Sequence, residues 1–218
     1  MTDHQHPNGY LRLPPNGMGD PILVLHPWWG LNEDIKAFCD RLADAGFVTL
    51  ALDLYHGKTA STLPEAEVLR DESDSRYEQN LQEVADATLW LSEHYDRDNQ
   101  GVAMVAFSLG VWYALERSNA DPKHIRKVVV FYGTRDGDYS QSRASYLCHF
   151  AENDDYEPRE NVEAMVQALQ QAGRPVTTHI YPGTGHWFFE PSRQDAYDPD
   201  AAQLAWERTV AFLKQDAD

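Results

Sequence analysis

Apolar and polar positions along this chain alternate between two rhythms. Short, nearly unbroken apolar runs begin at Ile22 (ILVLH), Phe47 (FVTLALDLY), Gly101 (GVAMVAF) and Lys127 (KVVVFYG). They have the composition of strands buried on both faces. Between them lie longer stretches with helical spacing. Glu33 to Ala45 puts Ile35, Phe38, Cys39 and Leu42 on one face, with Asn32 as N-cap and Gly46 as the stop. Tyr77 to His94 repeats the spacing through Leu81, Val84, Ala85, Thr88, Leu89 and Leu91. VWYALER follows the Gly101 run without a breaker, and Glu160 to Ala172 is closed by Gly173 and Pro175. A last amphipathic segment, Pro199 to Lys214, is expected to bury Leu204, Val210, Ala211 and Leu213.

Three further segments read as strands. Tyr10 to Leu13 alternates weakly, as an edge strand ended by Pro14 and Pro15; Tyr146 to Ala151 is apolar; Val176 to Tyr181 alternates, as a strand near an edge. His56 to Ser75 has no clear period and reads as an excursion that crosses the surface or caps a site. Strands alternating with helices predict an α/β fold, with right-handed crossovers building an open, mostly parallel central sheet that carries helices on both faces. At 218 residues, the chain is expected to form one domain, 1–218.

Charge narrows the partners. The net charge of −17, from 35 acidic and 18 basic side chains, argues against nucleic acid or an anionic membrane surface. No apolar run reaches membrane-spanning length, and MTDHQHPNGY lacks a signal-peptide pattern, so a cytoplasmic location is expected. Cys39 and Cys148 stand in no metal-type spacing, and the nine histidines form no HExxH, so no metal is expected.

In open parallel sheets function gathers at the carboxyl ends of strands. HPWWG, AFSLG, FYGTRDGDY, AENDD and GTGHW all lie there. AFSLG has the layout of a nucleophile elbow, a sharp strand-to-helix turn that lifts one hydroxyl, here Ser108, above the sheet. The turn needs small residues two places on either side, here Ala106 and Gly110, with Ala106 replacing the more usual glycine. Ser108, Asp154 and His186 follow in the order nucleophile, acid, base, which is that of the α/β-hydrolase triad. A serine hydroxyl needs a base to take its proton, and a carboxylate then fixes the imidazole tautomer. Asp155 rivals Asp154 for the acid. The backbone N–H of Leu109, after the nucleophile, and that of Trp28, in the early loop, are the expected oxyanion donors. His26 and Asp53 read as scaffold residues at strand ends.

HPWWGLN, AGFVTLALDLY, the Ser108 elbow, AENDDYEP and YPGTGHWF, spread over nearly the whole chain, together resemble the dienelactone hydrolase family of α/β-hydrolases. The resemblance implies an eight-stranded sheet, no metal or cofactor, and cleavage of small-molecule esters or lactones. By position it favours Asp154 over Asp155. The chain departs from the family's founding pattern at three places: Ser108 replaces a cysteine, Pro27 a glutamate, and Glu190 an arginine that holds a substrate carboxylate. A less charged ester, lactone or thioester is therefore expected, flanked by Trp28, Trp29, Tyr55 and Trp187. The alternative is a catalytically silent member of the fold that binds a small molecule or protein partner.

Overall fold

A computed structural model describes residues 6–215. Seven strands form one sheet in the order β1-β3-β2-β4-β5-β6-β7. β1 (Gly9–Arg12) pairs antiparallel with β3 (Val48–Leu52). All other pairings, through β2 (Pro21–Leu25), β4 (Val102–Phe107), β5 (Ile125–Phe131), β6 (Ser145–Asn153) and β7 (Val176–Gly185), are parallel. The sheet thus has seven strands, not eight; among the described residues no further extended segment pairs with either edge.

Side chains that alternate along each strand feed two cores. Leu23 and Leu25 face one, with Met104, Val128 and Val130; Ile22 and Val24 face the other, with Val105, Val129 and Phe131. Helices α3 (Tyr77–Tyr95), α4 (Leu109–Ala120) and α5 (Arg159–Gln171) cover the first face, and α1 (Glu33–Asp44) and α6 (Pro199–Leu213) the second. Asn32 caps α1 as expected, its Oδ1 accepting the Ile35 N–H at 3.1 Å. Among the described residues no helix is long and apolar enough to cross a membrane.

Four local expectations change. Inside the His56–Ser75 excursion, residues Leu63–Asp74 form helix α2. Its start is built by the Glu65 carboxylate, which accepts the backbone N–H groups of Ser61 at 2.9 Å and Thr62 at 3.2 Å. In α6 the buried face is Ala202, Ala205, Thr209 and Leu213, while Leu204 is exposed and Val210 half-buried. In α3, similarly, Ala87 and Asn80 face inward and Leu89 outward. Asn80 is accommodated because its Nδ2 donates to Ser73 Oγ at 2.9 Å and to the Tyr113 hydroxyl at 3.1 Å. Finally, β7 runs four residues past Tyr181, and Gly185 sits in register with Asn153 of β6.

Candidate active site

β4 ends at Phe107 and α4 begins at Leu109, so Ser108 alone makes the turn, with φ 46° and ψ −113°. Such a conformation is costly for a residue with a Cβ and persists only where its surroundings hold it. Here the Ser108 N–H donates to the Phe131 carbonyl at 2.9 Å, and the Ser108 carbonyl accepts the Val111 N–H at 2.9 Å. A Cβ at Gly110 would lie 2.7 Å from the Leu25 carbonyl oxygen, so glycine lets α4 start against the end of β2. Ala106 is fully buried in register with Leu25 and Val130, and its methyl is accommodated in the sheet.

The paired ends of β6 and β7 deliver the other two groups. Asp154 follows β6 and His186 follows β7. The His186 Nδ1–H faces both Asp154 oxygens, at 2.9 and 2.8 Å, and His186 Nε2 lies 3.0 Å from Ser108 Oγ. With Nδ1 donating to the carboxylate, Nε2 keeps its lone pair toward the serine hydroxyl. Asp154 Oδ1 also accepts the N–H groups of Tyr156 and Glu157, each at 2.9 Å, which fixes the carboxylate. The side chains of Asp154 and His186 are each 4% exposed, whereas Asp155 is exposed. Two more non-glycine residues with positive φ border the serine: Tyr132 (37°) after β5 and Trp187 (65°) beside the histidine. The Tyr132 ring packs 4.9 Å from the His186 ring, and its hydroxyl donates to Glu190 Oε1 at 2.8 Å. Burial pushes the Glu190 carboxyl up to about 8 and the Tyr132 hydroxyl well above its ordinary value.

Ser108 and His186 open into a cavity of about 470 Å³. Trp28, Leu109 and Trp187 line it. The amide N–H groups of Trp28 and Leu109 have no acceptor among the described residues. Trp29 and Tyr55 do not reach the cavity. Trp29 is 2% exposed, packed 5.1 Å from the Trp187 ring with the Arg193 guanidinium 4.1 Å from its centroid. Tyr55 is buried against His26, ring to ring at 4.7 Å. A turn sends consecutive side chains to opposite sides, so a strand-end position alone did not tell Trp28 from Trp29. His26 and Asp53 are scaffold: His26 Nδ1–H donates to the Pro27 carbonyl and Nε2 accepts the Leu54 N–H, while Asp53 accepts the N–H groups of Tyr55 and Gly57.

The remaining cavity wall was not anticipated. Arg70 and Asp74 come from α2, Tyr77 from α3, Trp112 and Tyr113 from the first turns of α4, and Tyr156 and Glu157 from the loop after Asp154. Arg70 is already paired: its Nη2 donates to Asp71 at 2.6 Å, its Nε lies 3.9 Å from Asp74, and its guanidinium lies 5.2 Å from the Trp28 ring centroid. Glu157 accepts from the Thr134 hydroxyl at 2.5 Å, and burial raises its carboxyl to about 7 against that hydrogen bond. Two signals were present in the sequence. The stretch TLPE carries a helix start, and the first turn of a helix that follows a nucleophile must face the same opening.

Sheet order and the one-residue strand-to-helix turn place the chain among the α/β-hydrolases. The model of the dienelactone hydrolase family matches residues 8–217. The chain is 30% identical to protein usf of Aquifex pyrophilus, over 95% of this chain and 92% of that one. It is 28% identical to a candidate carboxymethylenebutenolidase of Aquifex aeolicus, over 94% and 92% of the two chains. A crystal structure of a candidate dienelactone hydrolase from Klebsiella pneumoniae superposes with a TM-score of 0.82 at 24% identity, covering 95% of this chain and 92% of the other. The chain belongs to the dienelactone hydrolase family and is a hydrolase of that type.

Proposed function

We propose that the protein hydrolyses a small carboxylic ester, lactone or thioester that bears no carboxylate, with Ser108 as nucleophile, His186 as base and Asp154 as acid. The observation that carries this reading is the continuous hydrogen-bonded line from Ser108 Oγ through His186 to Asp154 at the floor of a cavity. His186 Nε2 takes the hydroxyl proton as Ser108 Oγ attacks the carbonyl carbon, and Asp154 stabilises the imidazolium formed. The oxyanion points at the amides of Leu109 and Trp28, where the start of α4 adds the positive end of a helix. The imidazolium returns its proton to the leaving alcohol or thiol, which departs and leaves an acyl-enzyme. A water, deprotonated by the same nitrogen, then attacks the acyl carbon; collapse releases the acid and restores the serine.

Rejection of carboxylates follows from the cavity's charges. Its lining guanidinium, Arg70, is paired with Asp71 and Asp74, which leaves Glu157 as an unpaired acid in the same wall. A fluorophosphonate probe is expected to label the wild type at Ser108. Ser108→Ala is expected to remove both labelling and p-nitrophenyl acetate turnover. An active, unlabelled Ser108→Ala protein would sink the assignment.

A further inference from the structure

The cavity holds two acids that hydrolysis does not use, Asp74 and Glu157. Glu157 is kept in the wall by the hydroxyl of Thr134, and among the described residues it forms no ion pair. The other cavity acid differs: Asp74 lies 3.9 Å from Arg70. Burial raises the Glu157 carboxyl to about 7, with the Thr134 hydrogen bonds acting the other way and the Asp154 charge adding to the rise.

Much of the rest of the wall is aromatic. Trp28, Tyr77, Trp112, Tyr113, Tyr156 and Trp187 all contribute to it. Trp28 and Trp187 each pack on the Tyr156 ring, at 5.8 and 4.8 Å between centroids, so the three form a continuous wall beside His186. Ring faces are negative, and together with a carboxylate they attract a weakly hydrated cation. Arg70 stands at one edge of this wall, 5.2 Å from the Trp28 ring centroid and paired with Asp71 and Asp74, and it makes no ion pair with Glu157 among the described residues. The chain's net charge of −17 further raises the local concentration of cations over that of anions.

We propose that the natural substrate is cationic: an ester or thioester carrying a quaternary ammonium or protonated amine, seated between Glu157 and the aromatic wall. This rests on Ser108 being the nucleophile of the same cavity. Substrate charge then supplies the cation that Glu157 lacks, and a carboxylate at the same place meets repulsion from Glu157.

Two isosteric pairs test it. One is acetylthiocholine against its analogue with carbon in place of the ammonium nitrogen. The other is the p-nitrophenyl ester of γ-trimethylammonio-butyrate against its carbon isostere. At pH 8 the cation is expected to be favoured at least about tenfold in kcat/KM in one pair, the size of a partly desolvated cation–π contact joined to an ion pair. Glu157→Gln is expected to bring that ratio below about threefold. Each ratio is taken within one protein, so a general loss of activity in the variant cancels. Neutral isosteres turned over as well as, or better than, both cations by the wild type would overturn the inference while leaving Ser108 as nucleophile. A preference that survives Glu157→Gln would equally overturn it. Ester turnover that persists in Ser108→Ala would instead overturn the catalytic reading on which it rests.

Discussion

Glu190→Gln is expected to stabilise the protein, by an amount that grows with pH. Glu190 is 1% exposed, with Oε1 accepting from Tyr132 and Oε2 buried without a partner. Desolvation dominates its surroundings, with the Asp34 charge adding to it and the Tyr132 hydrogen bond and Arg193 acting the other way. The folded-state carboxyl therefore titrates at about 8 against an ordinary 4.5. A carboxyl whose pKa is raised by folding contributes fully below its unfolded value, and that contribution is lost as pH climbs toward the folded one. Each pH unit in that window removes about 1.4 kcal/mol, so roughly 3 kcal/mol is lost between pH 5 and 7, as an upper value. Glutamine keeps the acceptor for Tyr132 and cannot ionise. Urea denaturation of both proteins at pH 5, 6, 7 and 8 should give a stability difference that widens steadily over the series and levels off above the folded value. A difference that stays constant across the series would refute the reasoning, because only an ionisation unique to the wild type makes it depend on pH.

Two further outcomes follow from the same geometry. Asp154→Asn is expected to lower kcat by on the order of 10⁴ while Asp155→Asn stays within about twofold, measured on p-nitrophenyl acetate; comparable losses would mean that either carboxylate serves the imidazole. Cys39 and Cys148 are buried, with thiols pushed up to about 12, so iodoacetamide at pH 8 should leave both unmodified in the native protein and label both in urea; native labelling would contradict their burial.

What could be read from the chain divides by physical scale. Strands buried on both faces announce themselves as runs of apolar residues, and the strands expected around Leu23, Leu50, Val105 and Val129 appear where those runs lie. The approach of Ser108, Asp154 and His186 was legible too, because in a parallel sheet the carboxyl ends of strands share one edge. Side-chain direction within a turn was not. Trp28 and Trp29 are neighbours of one type, and only the path of the loop sends the first to the cavity and the second to the core. The face of α6 is hidden for a related reason: hydrophobicity ranks Leu204 above Ala205, yet Ala205 is buried and Leu204 exposed. The α2 helix, with alternating acids and few buried positions, carries too weak an apolar stripe to be found by period, yet it supplies Arg70 and Asp74 to the cavity.

The pairing of Asn153 with Gly185 has a consequence for how such a site can change over time. Asp154 and His186 are the next residues along two adjacent, hydrogen-bonded strands, so that ribbon brings their backbones together. Ser108 comes from β4, separated from β6 by β5. The imidazole and its carboxylate therefore form a module that stays assembled whatever atom stands at the elbow. Ser108→Cys is therefore expected to leave the contact between His186 and Asp154 in place.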